Sequence, residues 1–429
     1  MRLHHLLAVA CGASTLVDGE PSPHDLALRM LASIEQRGQS TLDAGGSTGF
    51  IQLGLFWQAL AVVTESAPVS MANDDLRPLL DESLASSISA FSNITRDAEL
   101  PLDRLSLGAD MIAWSFRSPN DTQAAKYLPT ISALNTSLSL QPRNANGGLW
   151  YYNNVNNLTA YQNLSYLDGM YSYAPFVTIL SQLDDSYAHP LISLESALQQ
   201  VQLLYDICVQ PSGLLVHGYD ALKAHQWANA STGASPEVWG RSLAWYSLGI
   251  LNTLEAAAWS PDSLCSEAYA TLKLVFQRVM HAQVRAAERS KSLTGVPGVW
   301  QVVDRPGGAG NYVEASSSFM TVYTLLRGAR LQLLGDRQQH DTAAEHEQQT
   351  NYTSSVVSVA TEIYESVSAE YLITYTNGSL SLNGTSIVAS LSPQNVSYAY
   401  YVSRPTELDS LIGTSAFALA SYEMSLLDD

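Results

Sequence analysis

The sequence predicts an all-α fold in which twelve helices pair into six hairpins and close into an (α/α)6 barrel. Apolar residues recur at spacings of three and four in about a dozen segments, whereas the alternation typical of strands is rare. Neither a Pro/Ser-rich linker nor a shift in charge divides the 429 residues, which favours one domain over 20–429. A solenoid of helical repeats is the structural alternative, but no fixed repeat period supports it.

The connections between the predicted helices are alternately short and long. In chain order the predicted helices span 24–37, 50–65, 75–92, 103–117, 121–138, 165–183, 191–209, 236–257, 262–287, 314–334, 351–371 and 409–426. The long connections span 141–163, 210–235, 287–313 and 377–405, and they hold most of the glycine, aromatic and polar clusters. The last connection contains Asn377-Gly378 and Asn383-Gly384, dipeptides that favour hairpin turns, so we expect a small C-terminal β-hairpin beside the barrel.

Composition limits the classes of partner. Hydrophobic residues make up 46% of the chain and charged residues only 14%, so the chain can bury a large core. Acidic residues number 40 against 21 basic ones, giving a formal charge of −19. A protein with this net negative charge repels phosphate backbones and anionic lipid headgroups, which argues against nucleic-acid and membrane-surface partners. No apolar run approaches the roughly 20 residues of a membrane span.

The N-terminus resembles a secretory signal peptide, which we place at residues 1–19. Arg2 precedes the apolar run 6–13, and small residues follow, although a frayed first helix is an alternative. Cleavage would remove Cys11 and leave Cys208 and Cys265 as a candidate disulfide. Asn-x-Ser/Thr sequons occur at Asn93, Asn120, Asn135, Asn157, Asn163, Asn229, Asn351, Asn377, Asn383 and Asn395. We therefore expect a secreted, extracellular protein that carries N-linked glycans.

Asp168 is the leading candidate for acid–base chemistry. It lies beside Gly169 at a predicted helix start, within the aromatic and apolar stretch 166–176. Loss of hydration in such surroundings raises the pKa of a carboxyl group, which suits a proton donor. The alternative is an ordinary helix N-cap. Asp103 begins another predicted helix, whereas Asp184 and Asp185 lie at a helix end that we expect to be solvated.

Two further segments carry candidate binding residues. His217 shares a long connection with Asp220 and Trp227, so a structural and a functional role are both open. Arg241 follows Trp239 in the first turns of an apolar helix. A buried guanidinium requires an anion, supplied either by a protein carboxylate or by a ligand.

Several well-defined sites have no counterpart in the sequence. It contains no dinucleotide-binding glycine motif, Walker loop, His-Glu-x-x-His or Gly-x-Ser-x-Gly, and no cysteine spacing typical of metal sites. We therefore expect neither a cofactor nor a metal.

Six segments, taken in order, resemble the unsaturated rhamnogalacturonyl hydrolases of glycoside hydrolase family 105 and their relatives in family 88. The segments are Gly147-Gly148-Leu149-Trp150, 166–171 with Pro175-Phe176, 215–220, 235–241, 300–304 and 310–316. The family fold is the same (α/α)6 barrel. The resemblance implies a hydrolase that removes the 4,5-unsaturated uronic acid from the non-reducing end of oligosaccharides produced by polysaccharide lyases, such as those from pectin.

The resemblance also implies roles for individual residues. Asp168 matches the acid that protonates C4 of the unsaturated sugar, and Asp103 matches a second carboxylate of the site. His217, Trp239 and Arg241 match residues around the unsaturated sugar. Bacterial members often carry Trp-His-Lys where this chain has Trp150-Tyr151-Tyr152, so Trp150 and Tyr152 are expected near the next sugar, whose identity this difference leaves open.

Two other functions remain as alternatives. One is an (α/α)6 glycosidase acting on saturated glycans such as α-mannan through two carboxylates. The other is a barrel that binds glycans without catalysis. The conjugated double bond of the unsaturated sugar absorbs near 235 nm. Loss of this absorbance is expected for the unsaturated uronyl hydrolase and for neither of these alternatives.

Overall fold

A computed structural model describes residues 21–427 except 43–47, 66–72, 92, 118–124, 154–158, 184–190 and 336–342. The predicted signal peptide and the pair Asp184-Asp185 therefore lie outside the described residues, as do the sequons at Asn120 and Asn157.

Each of the twelve predicted helices has a counterpart in the structure. The helices are α1 (Pro23–Gln36), α2 (Gly49–Glu65), α3 (Asn73–Ile88), α4 (Arg104–Arg117), α5 (Leu128–Ser139), α6 (Gly169–Leu180), α7 (Leu194–Cys208), α8 (Gly240–Ala257), α9 (Glu267–Thr294), α10 (Ala315–Arg330), α11 (Ala343–Tyr371) and α12 (Leu411–Ser425). Short helical turns add Ile94–Asp97, Thr159–Tyr161, Pro261–Leu264 and Tyr398–Val402.

The even-numbered helices form a closed inner ring. Each packs on the next in the order α2, α4, α6, α8, α10 and α12, and α12 returns to α2. The odd-numbered helices lie outside: α1 packs on α12, and α3, α5, α7, α9 and α11 pack on α2, α4, α6, α8 and α10. The predicted (α/α)6 barrel is confirmed.

Sequence explains which helices lie inside. All residues of α6 are buried, as are nearly all residues of α8, and a helix that is apolar on every side must be enclosed. Outer helices instead show one buried face; α1, for example, buries Ala27, Met30, Leu31 and Ile34. Its start is fixed by a capping box in which Ser22 and Asp25 bond each other's backbone N–H groups.

Three two-stranded sheets lie in the connections. They pair β1 (Leu164–Tyr166) with β2 (Gly218–Asp220), β3 (Leu372–Thr374) with β4 (Leu380–Leu382), and β5 (Thr385–Ser386) with β6 (Thr406–Glu407), all antiparallel. Asn377-Gly378 lies in the β3–β4 turn, as predicted. Asn383-Gly384 closes no hairpin, because the Gly384 carbonyl accepts from the Ala315 N–H at the start of α10 and β5 pairs with the distant β6.

The proposed disulfide is wrong. Cys208, the last residue of α7, is buried in the core, whereas Cys265 is exposed after a short helix, and both are free thiols. Within the described chain, no helix has the length and apolar character needed to span a membrane.

Close approach of α8 and α6 gives a prediction about stability. A Cβ at Gly249 of α8 would lie about 2.5 Å from the carbonyl of Met170 in α6. Gly249→Ala should therefore lower the free energy of unfolding by about 1–3 kcal/mol, even though alanine favours helices. Gly49→Ala is the control, since its Cβ would meet only ordinary contacts at 3.5 Å. Equal stability of the two variants in chemical denaturation would contradict close packing at Gly249.

Candidate active site

Asp168 occupies the N-cap position of α6, but its side chain does not cap the helix. Its carboxylate instead accepts a short hydrogen bond from the Ser242 hydroxyl of α8 and lies 3.6 Å from Nε2 of His217. Only 8% of the residue is exposed. Burial raises the pKa of Asp168 to about 6, although Ser242 and Arg241 both stabilise its ionised form. The structure thus favours the acid–base interpretation over the helix cap.

His217 is a neutral neighbour of this carboxyl group. Complete burial lowers the pKa of His217 to about 3, so its contact with Asp168 is a polar contact rather than an ion pair. Its other ring nitrogen, Nδ1, lies 2.8 Å from the hydroxyl of Tyr401, which is also fully buried. A hydrogen bond to one imidazole nitrogen fixes the tautomer and the orientation of the ring. The Tyr401 hydroxyl therefore helps to orient the His217 ring with Nε2 toward Asp168.

Trp239 joins the same network through Gln301. The Trp239 indole donates to Oε1 of Gln301 at 3.1 Å, and Nε2 of Gln301 donates to the backbone carbonyl of Tyr401 at 3.1 Å. The Trp239 and His217 rings lie 4.7 Å apart between centroids. These contacts attach Trp239, which forms part of one wall of the site, to the loop before α10 and to the short helix Tyr398–Val402.

Arg241 resolves the choice left open by the sequence, because a protein carboxylate neutralises it. One of its terminal nitrogens lies 3.2 Å from Oε1 of Glu314 and also donates to the carbonyl and hydroxyl of Ser386. Glu314 is the N-cap of α10 and accepts from the Ser317 N–H at 2.7 Å. The Arg241 Nε finds no hydrogen-bond partner among the described residues, and the guanidinium lies 5.2 Å from the Trp239 ring centroid.

Asp103 lies behind the wall of the site. Its carboxylate, 1% exposed, accepts a short hydrogen bond from the hydroxyl of Tyr151, which itself lines the cavity. The pKa of Asp103 is raised to about 7, mainly by burial and in part by the nearby Asp168, while the hydrogen bond from Tyr151 and the charge of Arg104 oppose the rise. Asp103 can therefore influence Asp168 electrostatically, with Tyr151 between it and the cavity.

These groups surround a cavity of about 230 Å³. Asp168, His217, Trp239 and Arg241 all line it, and so does Tyr152. Trp150 is only half buried and does not line the cavity. Tyr152, two residues further along the chain, lines the cavity and packs on Tyr151, Tyr161 and Tyr166. The sequence therefore brings five of its seven candidate residues to one cavity, with Asp103 and Trp150 behind or beside it.

The helix starts give this end of the barrel a favourable potential for anions. The cavity is lined by residues at the N-terminal ends of α2, α6, α8 and α12. The helix dipoles place partial positive charge at these helix starts, which stabilises a bound carboxylate. Among the described residues no group of three or more His, Cys, Asp or Glu side chains is placed to hold a metal ion.

A second cavity of about 350 Å³ lies toward the C-terminal halves of the inner helices and is lined by Trp57, Tyr171 and Arg327, among others. Two of its charged groups are paired, since Arg327 contacts Glu255 at 2.5 Å, and Arg327 also contacts Glu423 at 3.2 Å. We assign the chemistry to the smaller cavity because Asp168 and the helix N-termini lie there.

Sequence reasoning missed the residues that reach the cavity from the C-terminal connection. Ile387, Val388, Ala389, Ser390 and Glu407 form one wall, and Tyr401 lies behind it. This stretch showed only hairpin signals. Ser242, which directly follows the segment 235–241, and Gln301, within the segment 300–304, are polar residues in apolar surroundings, and this signal is present in the sequence.

Comparison with known proteins identifies the family. The model of Glycosyl Hydrolase Family 88 matches residues 52–427. A curated relative, Protein Atu3128 of Agrobacterium fabrum, is 34% identical over 142 residues, which are 33% of this chain and 55% of the relative, so the match spans about half of that protein.

Solved structures agree with this family. A glycoside hydrolase from family 105 of C. acetobutylicum is 25% identical with a TM-score of 0.72, covering 92% of this chain and 98% of its own. The unsaturated glucuronyl hydrolase of Bacillus sp. GL1 shares the fold at 12% identity with a TM-score of 0.60, covering 94% of this chain and 96% of its own.

The raised pKa of Asp103 predicts how stability depends on pH. An unfolded Asp ionises near its ordinary pKa of 3.8, whereas the folded carboxyl keeps its proton up to about 7. The stabilisation from the buried neutral form is complete at low pH and is lost as pH rises through about 7. Asp103→Asn cannot ionise, so its free energy of unfolding should increase relative to wild type between pH 4 and 8.

Urea denaturation at several pH values measures this difference. Asp206→Asn, at an exposed position on α7, provides the control and should follow the wild-type curve. A constant difference between Asp103→Asn and wild type across this pH range would mean that Asp103 is already ionised in the folded protein.

Proposed function

The chain belongs to glycosyl hydrolase family 88, and from this membership we propose that it removes 4,5-unsaturated uronic acid from the non-reducing end of lyase-generated oligosaccharides. The observation that carries the proposal is Asp168: a buried carboxyl group in a cavity, with its pKa raised to about 6 and a neutral histidine beside it. At mildly acidic pH this group holds a proton that it can donate to a substrate.

The proposed reaction is hydration of a vinyl ether. Asp168 donates its proton to C4 of the unsaturated sugar, and positive charge develops at C5 and the ring oxygen. Water adds at C5 and gives its proton to the Asp168 carboxylate, which restores the acid. The resulting hemiketal opens to a ketone at C5, and the hemiacetal left at C1 releases the next sugar as an alcohol.

Two neighbours stabilise Asp168 after it has given up its proton. The Ser242 hydroxyl donates to the carboxylate, and the adjoining start of α6 favours negative charge there. His217 keeps its neutral ring against the carboxyl group, so no imidazolium competes for the role of proton donor. In the proposal the substrate carboxylate binds near Arg241 and the helix N-termini, with Glu314 holding the guanidinium in place.

We propose further that the enzyme is secreted, with a leader at 1–19 and a catalytic domain over 20–429, and that rhamnogalacturonan fragments are its substrates. Exposure of the sequons supports secretion. Among sequon asparagines whose side chains the structure describes, Asn93, Asn229, Asn377, Asn383 and Asn395 are exposed, Asn135 and Asn163 are half-buried, and none is buried.

The role of Asp168 is tested by Asp168→Asn. The amide keeps the size of the side chain but cannot supply the proton, so the rate should fall by about 10² to 10⁴ or more. The measurement is loss of absorbance near 235 nm with lyase-digested pectin. Asp206→Asn is the matched control and should retain wild-type activity. Near-native turnover by a folded Asp168→Asn protein would remove Asp168 from the mechanism.

The pKa of Asp168 predicts the direction of the pH dependence. Because the protonated form is active, kcat/KM should fall as pH rises through about 6. Ser242 lowers the pKa of Asp168 by bonding its ionised form, so Ser242→Ala should shift this decline to higher pH. Initial rates from pH 4 to 8 measure both effects, and a flat profile for wild type would contradict the need for a protonated Asp168.

A further inference from the structure

The walls of the cavity differ in depth and in charge. Asp168, His217, Trp239 and Arg241 are at most 8% exposed and form the floor. Glu407 lines the same cavity but is exposed, so its carboxylate lies at the mouth. If the unsaturated sugar binds against Asp168, as the proposed function requires, the open side of the cavity left for the next sugar is this mouth.

Glu407 is tied to the floor through the backbone. It lies in β6, where it pairs with Thr385 of β5, the strand that ends at Ser386. The N–H of Ser386 donates to Glu314 at 2.9 Å, and its carbonyl and hydroxyl accept from Arg241. The pairing of β5 with β6 therefore connects the buried Arg241–Glu314 ion pair to Glu407 at the mouth. This connection sets the distance between Glu407 and the floor of the cavity.

Nothing described around the mouth offsets the charge of Glu407. The only cation among the described lining residues is Arg241, which is 3% exposed and paired with Glu314. Among the described residues no lysine or arginine forms an ion pair with Glu407; Arg37 lies 3.7 Å from Asp409, and the Arg404 guanidinium lies over the Tyr400 ring at 5.4 Å.

We propose that Glu407 makes the enzyme select substrates whose second sugar is uncharged. A sulfate or carboxylate on that sugar lies against a fixed negative charge with no cation to accept it, while hydroxyl groups can bond to the Glu407 carboxylate. Tyr152 and the aliphatic Val388, which is 42% exposed, provide the remaining contacts at the mouth. This inference rests on the proposed function and adds to it the residue that selects the aglycone by charge.

Two aryl glycosides of 4,5-unsaturated glucuronic acid test this selection. One carries a para-carboxylate on its phenyl ring and the other a para-carboxamide, so they differ in charge and hardly in shape. We expect wild type to favour the carboxamide by about three- to tenfold in kcat/KM, mainly through KM, as estimated for one like charge in partly solvated surroundings. The phenol released is measured by chromatography.

Variants at Glu407 should change this preference in the same direction and in two steps. Glu407→Gln should bring the ratio close to one, and Glu407→Lys should reverse it. Raising the salt concentration should shrink the wild-type ratio, since ions screen charges at an exposed site. Glu365→Gln removes an exposed carboxylate from the outer helix α11, away from the cavity, and should keep the wild-type ratio. Thermal melting confirms that each variant is folded.

The outcomes separate this inference from the proposed function. If wild type cleaves neither glycoside nor any unsaturated oligosaccharide, the proposed function fails and the inference fails with it. If wild type cleaves the glycosides but Glu407→Gln and Glu407→Lys leave the ratio unchanged, Glu407 does not select the aglycone and the proposed function stands.

Discussion

Burial of the Asp168 carboxyl group is the constraint on which the rest of the site depends. Removed from water, the group ionises only when other contacts replace its hydration, so its pKa rises to about 6. The surroundings are arranged to moderate this effect rather than to cancel it. Ser242 and the start of α6 stabilise the anion, but Arg241, the cation among the described residues that line the cavity, is neutralised by Glu314. An unpaired Arg241 at the same place would favour the ionised form of Asp168 and lower its pKa. Less of Asp168 would then carry the proton that it has to donate.

The barrel makes this arrangement rigid. Asp168, Trp239 and Glu314 occupy the N-cap positions of three successive inner helices, so the packing of α6, α8 and α10 sets the distances between them. A second layer of buried contacts joins these caps: Gln301 links Trp239 to the Tyr401 backbone, and the Tyr401 hydroxyl bonds to His217. Buried polar networks stay ordered when their members are bonded to one another, which is what a proton donor held at a fixed distance from carbon requires.

The sequence predicts the helices and the floor of the site better than its mouth. Helical periodicity located all twelve helices because each inner or outer helix must bury an apolar face. Asp168 and Arg241 stand out because each is a charged residue at the start of an apolar helix, whereas only the family resemblance indicates a place for Trp239 in the site. Glu407 and Tyr401 were missed because they reach the site only through tertiary packing of a long connection, in which β5 pairs with β6 instead of closing a second hairpin. The pairing of Arg241 with Glu314, 73 residues away, likewise had no local signal.

The most direct test of the account is hydrolysis of an unsaturated disaccharide in D₂O, with the released sugar analysed by NMR at early times. Protonation of C4 by Asp168 predicts one deuterium at C4, on a single face, and a ketone at C5. If the enzyme instead protonates the glycosidic oxygen, the first product keeps its C4=C5 double bond and its vinylic hydrogen. Detection of that unsaturated free sugar as the initial product would contradict the mechanism.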